Sequence, residues 1–103
     1  MKTHKEFQYI YNKGKNSHSN SVVLFYFLKK GTNKVGFTAT KKIGNAVVRN
    51  RSKRRLRSLF NQHSTSLKDG SYIFVAKQST SKIPFKDLEH DFKKVLTRAK
   101  CFT

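Results

Sequence analysis

The chain is short and strongly basic: its 103 residues include 23 Lys and Arg but only 5 Asp and Glu, which gives a formal net charge of +18. A surplus of this size causes self-repulsion and is typical of proteins whose partner is a polyanion, either a nucleic acid or an anionic membrane. No run approaches the roughly 18 apolar residues of a membrane-spanning helix, and we expect no signal peptide, so the membrane is the weaker alternative. The length predicts one domain, residues 1–103, and the single Cys101 allows no internal disulfide, which favours a reducing, cytoplasmic setting.

The first predicted element is a short helix. Residues 3–6 (THKE) fit a capping box, in which the threonine and the glutamate satisfy backbone groups of the first turn. Phe7, Ile10 and Tyr11 then share one helical face. Gly14 is placed to end the helix.

The next predicted elements form a hairpin. Residues 15–20 are polar and predict a loop, whereas residues 21–28 (SVVLFYFL) are β-branched and aromatic and predict a strand. Residues 30–33 predict a turn, and residues 34–40 (KVGFTAT) predict a second strand that pairs with the first. Alternation along the first strand places Val22, Leu24, Tyr26 and Leu28 on one face and Val23, Phe25 and Phe27 on the other. Because both faces are apolar, either both are covered or one is a binding surface.

The most basic stretch, residues 41–57 (KKIGNAVVRNRSKRRLR), predicts an amphipathic helix. Asn45 is suited to the N-cap, and the helix is expected to end near Gln62. Its apolar side comprises Val48, Ser52, Leu56, Leu59 and Phe60. Its polar side comprises Asn50, Lys53, Arg54 and Arg57, with Arg49 and Arg51 flanking them. Arg55 lies at the edge of the apolar side, so its charge is expected to extend outward.

The C-terminal part predicts a strand and a helix. Residues 68–71 predict a turn, residues 72–76 (YIFVA) a central strand buried on both faces, and residues 78–82 a loop. Pro84 suits the first turn of a last helix. The apolar stripe of that helix comprises Phe85, Leu88, Phe92, Val95, Leu96 and Ala99. The resulting mixture of helices and strands predicts the α+β class, a sheet with helices packed on it.

Residues that could carry catalysis are scarce. Asp87, Glu89 and Asp91 cluster on one predicted helix among lysines, where we expect them to form surface ion pairs. A protein-borne nuclease site would need acids or histidines that converge from several elements, and the sequence predicts neither this nor a metal site. The dense arginines of residues 41–57 lack acidic partners and favour phosphate binding. The sequence therefore predicts a protein that binds nucleic acid rather than one that cleaves RNA with its own side chains.

The same basic stretch resembles the signature segment of the bacterial ribonuclease P protein family. The residues that carry the resemblance are the Arg49-Asn50-Arg51 core with Lys41, Lys42, Gly44, Ala46, Lys53, Arg54 and Arg57. Residues 35–38, 6–15, 24–28 and 70–76 also resemble the family. The resemblance therefore covers nearly the whole chain, whereas a bare Arg-Asn-Arg would be a weak signal.

The resemblance implies a fold and a function. The implied fold is a four-stranded sheet with three helices in the order α-β-β-β-α-β-α, like the second domain of ribosomal protein S5, with a left-handed βαβ crossover. The implied function is that of the protein subunit of ribonuclease P, which assists removal of the 5′ leader from precursor tRNA. A catalytic RNA performs the hydrolysis with Mg²⁺ that it mainly holds itself. The expected partners are that RNA and precursor tRNA, with no membrane, no obligate protein partner and no organic cofactor.

The resemblance also implies two RNA-contacting surfaces. The catalytic RNA is expected to contact Lys41, Lys42, Arg49, Asn50, Arg51, Lys53, Arg54 and Arg57. The leader is expected in a cleft between the first helix and the sheet, lined by Phe7, Tyr11, Lys15 and Tyr26. Core packing is the alternative for Phe7, whereas the hydroxyls of Tyr11 and Tyr26 favour a wet cleft.

Another function stays open on these residues. A ribosomal protein or a general RNA chaperone would share the charge, the size and the aromatic content. It would not require the long basic signature, nor an aromatic face on the first helix opposite a strand. The ribonuclease P resemblance is therefore the leading interpretation, and the ribosomal or chaperone function is the alternative.

Overall fold

The computed structural model describes residues 4–103. Its main elements, in chain order, are α1 (His4–Lys13), β1 (Lys15–His18), β2 (Val22–Leu28), β3 (Asn33–Thr38), α2 (Ala46–His63), β4 (Gly70–Ala76) and α3 (Phe85–Arg98). Short 3₁₀ turns occupy Lys41–Ile43, Ser64–Ser66 and Gln78–Ser81. The predicted α+β class, with three helices and a four-stranded sheet in the order α-β-β-β-α-β-α, is confirmed. The left hand of the crossover stays a prediction from the resemblance.

The strands form one mixed sheet in the order β1-β2-β4-β3. β2 pairs antiparallel with both β1 and β4, whereas β3 pairs parallel with β4. Two predictions are therefore wrong. Residues 15–18 form an edge strand rather than a loop, and their burial pattern explains the error, because only Ser17 is buried. β3 does not form a hairpin with β2, because the apolar strand β4 lies between them.

One face of the sheet packs against α2 and α3 and forms the main core. Its buried side chains include Leu24, Tyr26, Tyr72 and Phe74 from the strands and Leu56, Leu59, Leu88, Phe92, Val95 and Leu96 from the helices. Phe74 and Phe92 stack at its centre, with ring centroids 4.6 Å apart. The apolar side predicted for α2 is thus confirmed, and that of α3 is confirmed except at Phe85, which is 37% exposed. Burial of this area is the main term that stabilises the fold.

The opposite face of the sheet carries α1. Ile10 is 4% exposed, and Tyr11 contacts Phe25 edge-on with ring centroids 4.8 Å apart. Gly14 donates its N–H to the Ile10 carbonyl at 2.9 Å and ends the helix as predicted. A Cβ on Gly14 would lie 2.5 Å from the Tyr26 carbonyl oxygen, so only glycine lets α1 turn this closely into β1. The predicted capping box includes Thr3, which lies outside the described residues.

Arg55 does not extend outward as predicted. Its guanidinium donates to the carbonyls of Thr80 at 2.6 Å and Ile83 at 2.7 Å, and it lies 5.5 Å from the ring centre of Phe85. Partial burial, and then the nearby charge of Arg51, lower the pKa of Arg55. The two hydrogen bonds therefore join α2 to the segment that leads into α3.

The acidic residues of α3 also differ from the prediction. Asp91 accepts a hydrogen bond from the Ser21 hydroxyl at 2.6 Å, which ties α3 to the start of β2. Within residues 4–103, the acids of α3 form no ion pair with a lysine, whereas Lys34 and Glu6 do pair, at 3.6 Å. The acids of α3 therefore do not form the surface ion pairs that their spacing suggested.

Candidate nucleic-acid interface

The outward side of α2 carries a dense set of cations. The Asn45 side chain accepts the Val48 N–H at 3.0 Å and caps the helix, as predicted. Ser52, Leu56 and Leu59 are fully buried, which turns the opposite side of the helix to solvent. We call the predicted set the basic face; it comprises Lys41, Lys42, Arg49, Asn50, Arg51, Lys53, Arg54 and Arg57. All are exposed except Arg49 and Lys53, which are half-buried.

The 3₁₀ turn before α2 brings Lys41 and Lys42 next to the start of this helix. Gly44 follows the turn with φ of 150°, a backbone angle that favours glycine. A Cβ on Gly44 would lie 2.9 Å from Cβ of Val48, so a larger residue would push the turn away from the helix. Gly44 therefore helps to join the two lysines to the rest of the basic face.

A shallow depression on the basic face is lined by Val47, Asn50, Lys53, Arg54 and Arg57. None of these residues is acidic, so its electrostatic potential is positive. Val47, in the first turn of α2, is 75% exposed, which is unusual for an aliphatic residue within a charged surface. The sequence-based prediction of the basic face omitted Val47. Its position outside the apolar side of the helix already indicated that it would be exposed there.

Arg57 links the basic face to the edge strand β3. Its guanidinium lies 5.5 Å from the ring centre of Phe37 on β3, an arrangement that attracts a cation to an aromatic face. Lys53, Arg57 and Phe7 line the same groove along the edge of β3. The two predicted surfaces therefore meet, because α1 contributes Phe7 to a groove that α2 supplies with cations.

Aromatic side chains gather where α1 crosses the sheet. The ring centroids of Phe7 and Tyr11 are 6.4 Å apart, and Tyr11 in turn contacts Phe25. Phe7 is half-buried, and Tyr11 is 36% exposed. We call Phe7, Tyr11 and Phe25 the aromatic cleft.

The structure separates Tyr26 from this cleft. Tyr26 is 9% exposed and belongs to the core on the other face of the sheet, where burial, and then the proximity of Cys101, raise the pKa of its hydroxyl. Neighbouring residues of a strand point to opposite faces, so Phe25 and not Tyr26 lies beside Tyr11. Lys15 is exposed and, together with Tyr26, lines a different depression that also includes Lys13, Lys68 and Lys100.

Two further findings concern residues 4–103 as a whole. They contain no group of three or more His, Cys, Asp or Glu side chains placed to hold a metal ion. None of the helices they form has the length and apolar character needed to cross a bilayer.

A sheet covered by helices, with a cationic helix face joined to an aromatic cleft, defines a small α+β protein built to bind nucleic acid. The model of the Ribonuclease P family matches residues 1–100. The chain belongs to this family, and the resemblance noted in the sequence is confirmed. It is thus the protein subunit of the ribonuclease P ribonucleoprotein, an endoribonuclease of tRNA processing, and it is the partner of the ribonuclease P RNA.

Individual relatives agree with this assignment. The chain is 44% identical over 100 residues to the ribonuclease P protein component of Nitratiruptor sp., covering 97% of this chain and 91% of the relative. It is 34% identical over 97 residues to that of Streptococcus agalactiae, covering 93% and 89%. The solved RNase P protein of Staphylococcus aureus superimposes with a TM-score of 0.88 at 30% identity, covering 100% and 96%. The protein from Thermotoga maritima shares the fold, with a TM-score of 0.84 at 19% identity, covering 95% and 97%.

Proposed function

We propose that this chain binds the catalytic RNA of ribonuclease P through the basic face and the 5′ leader of precursor tRNA through the aromatic cleft. The observation that carries the proposal is the groove at the edge of β3, where Phe7 meets Lys53 and Arg57. This groove lets one continuous surface contact both RNAs at once. The protein then assists endonucleolytic removal of the leader by holding the substrate against the catalytic RNA.

Charge and geometry support phosphate binding by the basic face. Arg51, Arg54 and Arg57 are exposed on one side of a helix whose other side is anchored in the core. Anchoring fixes the spacing of their guanidinium groups, each of which can bind a phosphate with two parallel hydrogen bonds. Arg49 is half-buried and its Nε is enclosed without a partner among the described residues. It therefore offers the solvent less of its side chain than its neighbours do.

Aromatic chemistry supports leader binding by the cleft. Every base has a flat face, and stacking on an aromatic side chain contributes about 1–3 kcal/mol per base without strong sequence preference. Such tolerance suits a subunit that must accept many different leaders. Phe25 takes the role that the sequence reasoning gave to Tyr26, because it is Phe25 that lies beside Tyr11.

We assign the hydrolysis to the RNA subunit, together with the Mg²⁺ that this reaction requires. The side chains of the basic face and the aromatic cleft are cationic, amide or aromatic, and none of these is a ligand that Mg²⁺ favours or a ready proton acceptor at neutral pH. The protein thus contributes binding and orientation. In this proposal the protein acts in the cytoplasm and requires no membrane, no further protein and no organic cofactor.

Reconstitution tests the proposal. Precursor tRNA cleavage by the catalytic RNA is measured over a range of Mg²⁺ concentrations, with and without the protein. The protein should lower the Mg²⁺ concentration at which cleavage proceeds, and Arg54→Gln should weaken this effect. Lys93→Gln is the matched control, because Lys93 is an exposed cation on α3. Cleavage that is unimproved by protein at every Mg²⁺ concentration would contradict the proposal.

A further inference from the structure

A second groove lies on the other flank of α1. It is lined by Lys5, Glu6, Tyr9, Ile10, Phe27, Lys29, Thr32, Lys34 and Ser71. Tyr9 and Phe27 contact each other edge-on, with ring centroids 5.6 Å apart at an angle of 69°. Neither residue belongs to the basic face or to the aromatic cleft. We call this site the Tyr9 groove.

We propose that the Tyr9 groove binds a nucleotide of single-stranded RNA, with the base on Tyr9 and the phosphates between the lysines. This inference rests on the proposed function only for the origin of that RNA. Tyr9 is 51% exposed, more than the 36% of Tyr11 in the aromatic cleft. A half-exposed aromatic ring on a rigid helix leaves a flat apolar surface in water, which stacking with a base would cover.

The floor of the groove holds the ring of Tyr9 in place. Phe27 lies on β2, and Ile10, which is 4% exposed, anchors α1 to the sheet beside it. The edge-on contact between Tyr9 and Phe27 restricts rotation of the Tyr9 ring. A ring restricted before binding loses less side-chain entropy when a base stacks on it.

The walls of the groove supply the charge that a nucleotide requires. Lys5 lies on α1, whereas Lys29 directly follows β2 and Lys34 lies on β3. Glu6 also lines it, but Lys34 pairs with this carboxylate at 3.6 Å and offsets its repulsion of phosphate. Lys5 and Lys29 therefore leave a positive surplus in the groove that also holds the exposed ring of Tyr9. Cations and an aromatic ring in one groove suit the phosphate and the base of a single strand.

Two sources could supply such a nucleotide: the part of the leader that is distant from the cleavage site, and a single-stranded segment of the catalytic RNA. The chemistry of the site is the same for both. Photo-crosslinking of the assembled holoenzyme distinguishes them, with 4-thiouridine placed either in the leader or in the catalytic RNA. Crosslinks that fragment sequencing maps to Tyr9 itself, and not to Phe7 or Tyr11 of the same peptide, identify the source. Their absence from both RNAs would overturn the proposal.

Substitution supplies the second test. Binding of a labelled single-stranded oligouridylate to the full chain is measured for Tyr9→Ala and for the matched control Tyr9→Phe, which keeps a ring. Loss of one stacked base predicts about a tenfold weaker affinity for Tyr9→Ala, and the control should bind like the original chain. Lys5→Gln should reduce the slope of log affinity against log salt by about 0.7. Circular dichroism melting of each variant verifies the fold, which an exposed position should tolerate.

The outcomes separate this inference from the proposed function. Unchanged oligouridylate binding by a folded Tyr9→Ala would overturn the Tyr9 groove, even where the holoenzyme cleaves precursor tRNA normally. Failure of the protein to stimulate cleavage would contradict the proposed function, even where Tyr9→Ala weakens oligouridylate binding. Oligouridylate binding therefore tests the Tyr9 groove, and stimulation of cleavage tests the proposed function.

Discussion

Replacing Phe25 by leucine tests the placement of the leader. The leucine keeps an apolar contact with Tyr11 but removes the ring that a base could stack on. Phe25 is half-buried, so a swap between large apolar side chains should cost less than about 1.5 kcal/mol of folding stability. Loss of one stacked base costs about 1–3 kcal/mol, which corresponds to a roughly 5- to 150-fold weaker affinity for precursor tRNA.

The assay compares the holoenzyme's affinity for precursor tRNA and for mature tRNA. Phe25→Leu should weaken binding of the precursor and leave that of the mature tRNA unchanged, because only the precursor has a leader. Tyr26→Phe is the matched control: it removes only a hydroxyl from a residue that is 9% exposed on the opposite face of the sheet. Equal weakening of both tRNAs by Phe25→Leu, or selective weakening of the precursor by Tyr26→Phe, would refute the placement.

Three further predictions concern stability and salt. Arg55→Gln removes charged hydrogen bonds to the carbonyls of Thr80 and Ile83, so the free energy of unfolding measured in urea should fall by about 1.5–3 kcal/mol. The control Arg54→Gln should change the free energy of unfolding by less than about 0.5 kcal/mol. Similar effects of both substitutions would contradict the role of Arg55. The affinity of the chain for the catalytic RNA should fall linearly on a log–log plot against salt, with a slope that Arg54→Gln reduces by about 0.7–0.9; an affinity independent of salt would exclude phosphate binding. Burial raises the pKa of the Cys101 thiol from 9.0 to about 11, and a pKa raised by folding means that the folded state holds its proton more tightly. The resulting stability is present below pH 9 and is lost as the pH rises towards about 11. The free energy of unfolding of Cys101→Ala should therefore fall less over that pH range than that of the original chain. An equal fall in both proteins would show that titration of the Cys101 thiol is not its cause.

Periodicity predicts the helices well because each buries one well-defined stripe. Residues 46–63 repeat apolar side chains at helical spacing, and Asn45 gives an unambiguous start. The helical spacing of six apolar residues predicts α3 equally well. Phe85 at the start of this stripe is nevertheless 37% exposed and contacts Arg55 instead of the core. The basic face followed directly, because a helix with one buried side must expose the other.

The sheet was harder to predict because its signals are not local. β1 is an edge strand of polar residues with Ser17 alone buried, so it lacks an apolar pattern. The pairing of β3 with β4 joins segments that are separated by α2, and no pattern within either strand specifies a partner. β2 is apolar on both faces, so alternation divides Phe25 from Tyr26 without showing which of them faces α1. The contact between Tyr11 and Phe25, and the place of Tyr26 in the core, decide that question.

The parallel pairing of β3 and β4 also has a consequence for recognition. α2 connects these two neighbouring strands, so both of its ends are fixed to the sheet, and Arg55 fixes its flank to the segment before α3. The array of cations on this helix is therefore ordered before any RNA arrives, and most of the backbone entropy is lost in folding rather than in association. A substitution that loosens α2 from within, such as one at Arg55, should thus weaken RNA binding without removing a single contact to RNA.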